Sequence, residues 1–134
     1  MKKIEHIGIA VKSIATSNEI FEKLFGTPAY KTEEVESEGV KTSFFMCGPN
    51  KIELLEATNE NSPIAKFLEK KGEGIHHIAF DVDDIEAEIE RLKKEGFIVL
   101  NETPKKGADN KLVAFLHPKS TNGVLIELCQ EIAN

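Results

Sequence analysis

Two histidines and two glutamates occupy matching positions in the two halves of the 134-residue chain, and together they could hold a divalent metal. His6 begins the apolar stretch His-Ile-Gly-Ile-Ala-Val, and His77 begins His-Ile-Ala-Phe-Asp-Val. Glu53 and Glu127 each lie within Ile-Glu-Leu. Two imidazoles with two carboxylates suit Co, Ni, Mn or Zn. Four protein ligands leave open positions on a five- or six-coordinate ion, as a catalytic metal requires.

Taken singly, each of these residues has an ordinary structural explanation. A histidine at the start of a strand is more often structural than metal-binding. Alternation along a strand puts Glu53 on one face and its apolar neighbours on the other. The recurrence of both residue types in register is what favours a shared site. His76 must point to the opposite face of the strand from His77, so we take His77 as the ligand.

An internal repeat predicts the elements that position these residues. An amphipathic stretch follows each histidine strand, at 17–25 and at 86–95, and a glycine follows each stretch. This pattern predicts two helices. Thr-Ser-Phe-Phe at 42–45 also matches Val-Ala-Phe-Leu at 113–116. Each half therefore reads as strand, helix and three strands.

The segment between the two halves predicts a short connecting helix. Ser62 suits the N-cap, Pro63 the first helical position and Gly72 the end. We therefore expect an α+β fold in a single domain, 1–134, with a first module at about 1–60, a connecting helix at about 62–71 and a second module at about 75–134.

Composition and charge exclude several functional classes. The net charge of −6 argues against nucleic acid as the main partner. No apolar run approaches the ~20 residues that a transmembrane helix requires, and the N-terminus does not resemble a secretory signal. We expect a cytoplasmic protein without a membrane partner. Cys47 and Cys129 lie in or beside apolar runs and are expected to be reduced core thiols.

These segments resemble the vicinal-oxygen-chelate superfamily of glyoxalases, bleomycin resistance proteins and dioxygenases, and within it the methylmalonyl-CoA epimerases. The resemblance spans essentially the whole chain. Its most discriminating segment is the His-Pro-Lys turn at 117–119, before Gly-Val-Leu-Ile-Glu at 123–127. Ser-Pro-Ile-Ala-Lys-Phe-Leu at 62–68 is a further match. The resemblance implies two pseudosymmetric βαβββ modules, a curved mixed sheet around a metal site, and a homodimer.

The resemblance also implies the metal ligands His6, Glu53, His77 and Glu127, and epimerisation of methylmalonyl-CoA through an enolate. Some epimerases carry Gln at the position of Glu53. An acid proposed as a base in some relatives aligns near Thr42, and threonine cannot serve in that role. Glu53 and Glu127 are therefore our candidates for the acid–base pair that epimerisation needs.

Four lysines of the second half could form a local basic patch, although a solvated surface lysine is the ordinary explanation for any one of them. They are Lys105, Lys106, Lys111 and Lys119. With a coenzyme A thioester as the implied substrate, they become candidates for contacts to its phosphates. His117, in the turn, is expected to lie at the surface or to contact substrate.

The ligand set alone leaves glyoxalase I, or lactoylglutathione lyase, open as an alternative. Its bacterial forms resemble this chain in the His-Glu-His-Glu pattern, and its chemistry is also metal-assisted proton transfer. The His-Pro-Lys turn and the 62–68 segment favour the epimerase. A metal-free small-molecule binding protein is a more distant alternative, because it has no reason to keep four metal-type ligands. Extradiol dioxygenases usually have three ligands and a longer chain.

Overall fold

Both halves of the chain fold into strand, helix and three strands, as the repeat predicts. The computed structural model describes residues 1–133. The first half contains β1 (Lys3–Ala10), α1 (Ile14–Phe25), β2 (Lys31–Val35), β3 (Val40–Cys47) and β4 (Asn50–Ala57). The helix α2 (Pro63–Lys71) follows. The second half contains β5 (Gly74–Asp81), α3 (Ile85–Lys94), β6 (Lys105–Lys106), β7 (Lys111–Leu116) and β8 (Ile126–Glu131). The α+β class and the two βαβββ modules are thereby confirmed.

The described residues divide into two compact units. The N-terminal unit is His6–His76, and the C-terminal unit combines Met1–Glu5 with the chain from His77 onward. The boundaries therefore fall inside β1 and β5. Each boundary lies immediately before one of the two predicted histidine ligands.

In the N-terminal unit, α1 covers one face of the sheet β2-β3-β4-β1. β4 runs parallel to β1 and antiparallel to β3. Ile52 and Leu54 of β4 point toward α1 and pack with Ile14 and Phe45. Because side chains alternate along a strand, Glu53 points to the opposite face.

The C-terminal unit repeats this arrangement in the strand order β5-β8-β7-β6. β8 runs parallel to β5 and antiparallel to β7. Ile126 and Leu128 pack against Ile85 and Ile89 of α3. Glu127, between them, points to the face that α3 does not cover.

The two helices that follow the histidine strands start at matched side-chain contacts. The Ile14 N–H donates to Glu56 Oε1 at 2.7 Å, and the Ile85 N–H donates to Gln130 Oε1 at 2.7 Å. Both acceptors lie on the strand that also carries the predicted glutamate ligand. α1 begins earlier than the sequence predicts because Ser13 caps it, whereas α3 lies within one residue of its predicted bounds.

The connecting helix α2 has the ends that the sequence predicts. Ser62 Oγ accepts the Ala65 N–H at 3.1 Å, and Gly72 follows the last turn. Ile64 packs with Val40 and Leu55, on the same face of the N-terminal sheet as Glu53. α2 therefore covers one end of that face.

Gly39 is the glycine whose replacement should destabilise the N-terminal unit. Its φ is +64°, and an added Cβ would lie 2.7 Å from Ser62 Cβ and 2.9 Å from Asn59 Nδ2. We expect Gly39→Ala to lower the free energy of unfolding by about 2–4 kcal/mol, because left-handed strain and overpacking add. Gly48 has a similar φ of +61° with no atom within 4 Å, so Gly48→Ala should cost only about 1 kcal/mol. Equal losses in urea unfolding would contradict the proposed close packing.

The prediction that both cysteines are buried in the core is correct for one of them and wrong for the other. Cys129 is fully buried, but Cys47 is exposed. Cys47 is the last residue of β3 and precedes the tight turn at Gly48. At the end of a strand, a preceding run of apolar residues no longer indicates burial. Among the described residues, no helix is long and apolar enough to cross a membrane.

Candidate functional site

His6 and Glu53 form a buried pair in the N-terminal unit. His6 lies on β1, and Glu53 lies on β4, which runs parallel to β1. Gly8 of β1 is the residue opposite Glu53. His6 Nε2 lies 3.1 Å from Glu53 Oε1, and the side chains are 7% and 6% exposed. Because Gly8 has no side chain, the residue directly opposite Glu53 adds no bulk beside the carboxylate.

His77 and Glu127 form the equivalent pair in the C-terminal unit. His77 lies on β5 and Glu127 on β8, and the small residue opposite Glu127 is Ala79. His77 Nε2 lies 3.1 Å from Glu127 Oε1, with side chains 4% and 8% exposed. The structure therefore brings the predicted ligands together two by two, one pair in each unit.

The geometry of each pair fits two ligands of one divalent ion. Imidazole nitrogen and carboxylate oxygen bind such ions at about 2.0–2.2 Å, so two of them at right angles lie roughly 3 Å apart. The Nε2 to Oε1 distance is 3.1 Å in both pairs. Burial strengthens the fit, since a carboxylate without water must be compensated by a positive or hydrogen-bonding partner. The donor set is thus compatible with the expected metal.

A phenylalanine stands directly across the antiparallel ladder from each of the two glutamates. Phe44 of β3 pairs with Glu53, and Phe115 of β7 pairs with Glu127. The Phe115 ring lies edge-to-face with His77, with centroids 5.9 Å apart. Each glutamate therefore has an apolar ring opposite it on the neighbouring strand, and electrostatic interactions are stronger in apolar surroundings. Because the two Phe residues match in the repeat, the sequence could have indicated that they lie beside the glutamates.

The two other histidines lie apart from these pairs. His76 contacts Phe67 of α2 edge-to-face, with centroids 5.0 Å apart, which agrees with its predicted opposite orientation to His77. His117 is exposed, and its Nδ1 accepts the Lys119 N–H at 2.9 Å. This hydrogen bond shapes the His-Pro-Lys turn.

The predicted phosphate-binding lysines occupy two different environments. Lys105, Lys106 and Lys119 are exposed. Lys111 is buried, with its Nζ 4.0 Å from Glu5 Oε2 and its side chain 8% exposed. The prediction for Lys111 needs correction, because an interior ammonium that faces a carboxylate is not available to a phosphate at the surface. Sequence alone gave no sign that this lysine enters the interior.

Cys129 lies among three buried charged side chains of the C-terminal unit. Burial raises the pKa of its thiol, the carboxylates of Glu127 and Glu5 raise this pKa further, and the ammonium of Lys111 lowers it. The thiol donates to the Phe80 carbonyl oxygen at 3.4 Å. Cys129 is therefore protonated at neutral pH and cannot act as a nucleophile.

Comparison with known proteins identifies the family of this chain. The glyoxalase/bleomycin resistance protein/dioxygenase superfamily profile matches residues 5–115. The chain belongs to this superfamily. The matched range includes three of the four predicted ligands, His6, Glu53 and His77.

The similar proteins of this superfamily include several methylmalonyl-CoA epimerases. An ethylmalonyl-CoA/methylmalonyl-CoA epimerase of Cereibacter sphaeroides is 42% identical over 130 residues, which cover 96% of this chain and 97% of that protein. The mitochondrial methylmalonyl-CoA epimerase of Dictyostelium discoideum is 41% identical over 127 residues, 94% of this chain and 76% of that protein. A solved methylmalonyl-CoA epimerase in complex with methylmalonyl-CoA and ammonium has a TM-score of 0.95 at 35% identity, and the match covers 99% of this chain and 96% of that one. The resemblance inferred from the sequence is confirmed.

Proposed function

We propose that this chain is a metal-dependent isomerase that interconverts the two epimers of methylmalonyl-CoA. The observation that carries the proposal is the buried His–Glu pair that recurs with the same 3.1 Å separation in both units. A relative that is 42% identical over almost its whole length is named an ethylmalonyl-CoA/methylmalonyl-CoA epimerase, and a structure of the same fold holds methylmalonyl-CoA. We therefore assign a coenzyme A thioester as the substrate.

We assign all four side chains to a single divalent ion, which we expect to be Co, Ni, Mn or Zn. His6 and Glu53 supply one half of this ligand set, and His77 and Glu127 supply the other half. When bound, the ion supplies Lewis-acid stabilisation to the thioester and carboxylate oxygens of the substrate. The protein contributes donor atoms already gathered into two buried pairs, which limits the loss of side-chain entropy on binding.

Glu53 and Glu127 are the proposed acid–base pair. One carboxylate takes the proton from the carbon between the thioester and the carboxylate, and the electron pair of that C–H bond moves onto the thioester carbonyl as an enolate. The other glutamate, in its protonated form, returns a proton to the opposite face of this carbon. The two residues exchange roles for the reverse reaction, and proton exchange with water restores their starting states.

The deciding experiment is deuterium incorporation into methylmalonyl-CoA in D₂O by the metal-reconstituted protein. We expect metal-dependent entry of deuterium at the α position together with interconversion of the two epimers. The same protein treated with a chelator is the control, and added Co, Ni, Mn or Zn should restore its activity. Absence of exchange by the reconstituted protein would overturn the epimerase assignment.

The glutathione–methylglyoxal hemithioacetal, assayed in parallel, tests lactoylglutathione lyase as the alternative. This reaction can use the same kind of ligand set and also moves a proton between neighbouring carbon atoms. Conversion of the hemithioacetal without exchange into methylmalonyl-CoA would transfer the assignment to the lyase. It would leave the metal ligands as proposed.

Lys106 and Lys119 are the proposed contacts for the phosphates of coenzyme A. Both are exposed, and their positive charges favour an anionic ligand. We expect Lys106→Ala and Lys119→Ala each to raise KM by about 3- to 10-fold with kcat unchanged, because such contacts hold substrate and transition state equally. Lys94→Ala, at the end of α3, is the matched control for loss of a surface charge. An unchanged KM in both variants would remove the assignment.

A homodimer, which the family resemblance implies, and a cytoplasmic location, which the sequence favours, are also proposed. Size-exclusion chromatography with light scattering measures the first. Cell fractionation measures the second. A monomer in the first measurement, or a membrane-bound pool in the second, would contradict them.

A further inference from the structure

We propose that the buried ion pair between Glu5 and Lys111 positions His6 for metal binding. The inference rests on the metal centre proposed above. It adds two residues that neither hold the ion nor transfer a proton. Glu5 immediately precedes His6 in β1.

Both residues of the pair are buried and belong to the C-terminal unit. Glu5 and Lys111 are 3% and 7% exposed, and Lys111 Nζ lies 4.0 Å from Glu5 Oε2. Within residues 1–133, Lys111 is the one lysine that is buried. Taking two such charges out of water carries a desolvation penalty that their attraction repays only in part. Stability alone therefore does not explain the pair.

The other unit shows what an ordinary residue does at the equivalent position. Phe44 and Phe115 correspond in the repeat, which makes Val40 the counterpart of Lys111. Val40 packs with Ala10, Leu55 and Ile64 in an apolar cluster. The same place in the fold is thus filled by hydrophobic contact in one unit and by an ion pair in the other. This difference indicates a role for the charges beyond filling space.

That role follows from where the chain passes from one unit into the other. Glu5 is held in the C-terminal unit by Lys111, whereas His6 is held in the N-terminal unit by Glu53. The backbone of the first residues is fixed as well, since the Lys2 N–H donates to the Asp81 carbonyl oxygen at 2.8 Å. Two adjacent residues of β1 thus each have a buried ionic partner, Glu5 in the C-terminal unit and His6 in the N-terminal unit.

Support of this kind helps to hold a metal-ligand atom in the position that binding requires. Ligand atoms must be held to within about 0.5 Å for productive geometry, and this precision comes from the residues that support the ligands. His77 has a comparable support on its own strand, because the preceding His76 contacts Phe67 in the N-terminal unit. The residue before each histidine ligand is thus anchored in the unit to which that histidine does not belong.

The test replaces both charges by apolar side chains of similar size, Glu5→Leu with Lys111→Met. A matched apolar pair should keep the thermal midpoint close to that of the parent protein. We expect the Kd for Co(II) to rise about 10- to 100-fold, as for other residues that support metal ligands. We also expect a shift in the visible absorption bands of bound Co(II), which report ligand geometry and not stability. Lys2→Ala, which removes an exposed ion pair of the same segment, should leave both readouts unchanged.

A folded double variant with the parent Kd and the parent Co(II) spectrum would overturn the inference. If the double variant does not fold, Glu5→Gln serves instead, since it removes one charge and retains an oxygen acceptor. Unchanged Co(II) binding by Glu5→Gln would overturn it equally. A parent protein that binds no Co(II) at all would instead mean that the proposed metal centre is wrong.

Discussion

Glu127→Ala is expected to remove both metal binding and epimerase activity. The substitution deletes a proposed ligand and a proposed proton-transfer group at once, and it leaves His77 without the carboxylate that lies 3.1 Å from its Nε2. Loss of general acid–base catalysis alone accounts for about 10²- to 10⁴-fold in rate. With the ion lost as well, we expect kcat/KM to fall by at least about 10⁴-fold. Metal content by mass spectrometry and the D₂O assay measure the two effects.

Glu131→Ala is the matched control for this variant. Glu131 lies on the same strand, β8, and its side chain is exposed. Its removal should leave metal content, activity and unfolding midpoint unchanged. If Glu127→Ala folds and still binds one equivalent of metal with parent activity, Glu127 is neither a ligand nor a base.

The two buried His–Glu pairs could be predicted from the sequence because the repeat carries two independent signals in register. A histidine at the start of a strand and a glutamate within Ile-Glu-Leu each have ordinary explanations. Because both residue types recur at corresponding places in the two halves, a shared role explains them better than two separate coincidences. Alternation along β4 and β8 then determines which face each glutamate takes, and the structure has both glutamates opposite the covering helices.

The Glu5–Lys111 pair could not be predicted, because it joins residues that are far apart in sequence and breaks the pattern of the repeat. No feature of the neighbouring sequence distinguishes Lys111 from the exposed Lys106. Alternation along β7 is compatible with either an apolar or a charged residue on the inner face of the sheet. Similarly, the run Phe-Phe-Met-Cys predicted a buried Cys47, whereas the end of β3 leaves it exposed. Long-range charge pairing and the ends of strands are set by tertiary contacts that residue patterns do not encode.

Glu53→Gln is expected to separate metal binding from proton transfer. The amide retains an oxygen that can bind the ion, so metal affinity should fall only modestly, by about 10-fold or less. The amide cannot accept the substrate proton, so epimerisation should fall by about 10²- to 10⁴-fold. Glu127 would still act alone on one face of the substrate. One epimer should therefore exchange its α-hydrogen with D₂O without inverting, whereas the other epimer should exchange slowly.

This pattern is informative because the family resemblance implies Gln at the position of Glu53 in some epimerases. Glu56→Gln is the matched control: it makes the same chemical change on the same strand and keeps an acceptor oxygen for the Ile14 N–H. It should behave as the parent protein in metal content and in both directions of exchange. Full turnover by Glu53→Gln, with rapid exchange from both epimers, would show that Glu53 is a ligand only. The second proton-transfer group would then have to be another residue that reaches the face opposite Glu127.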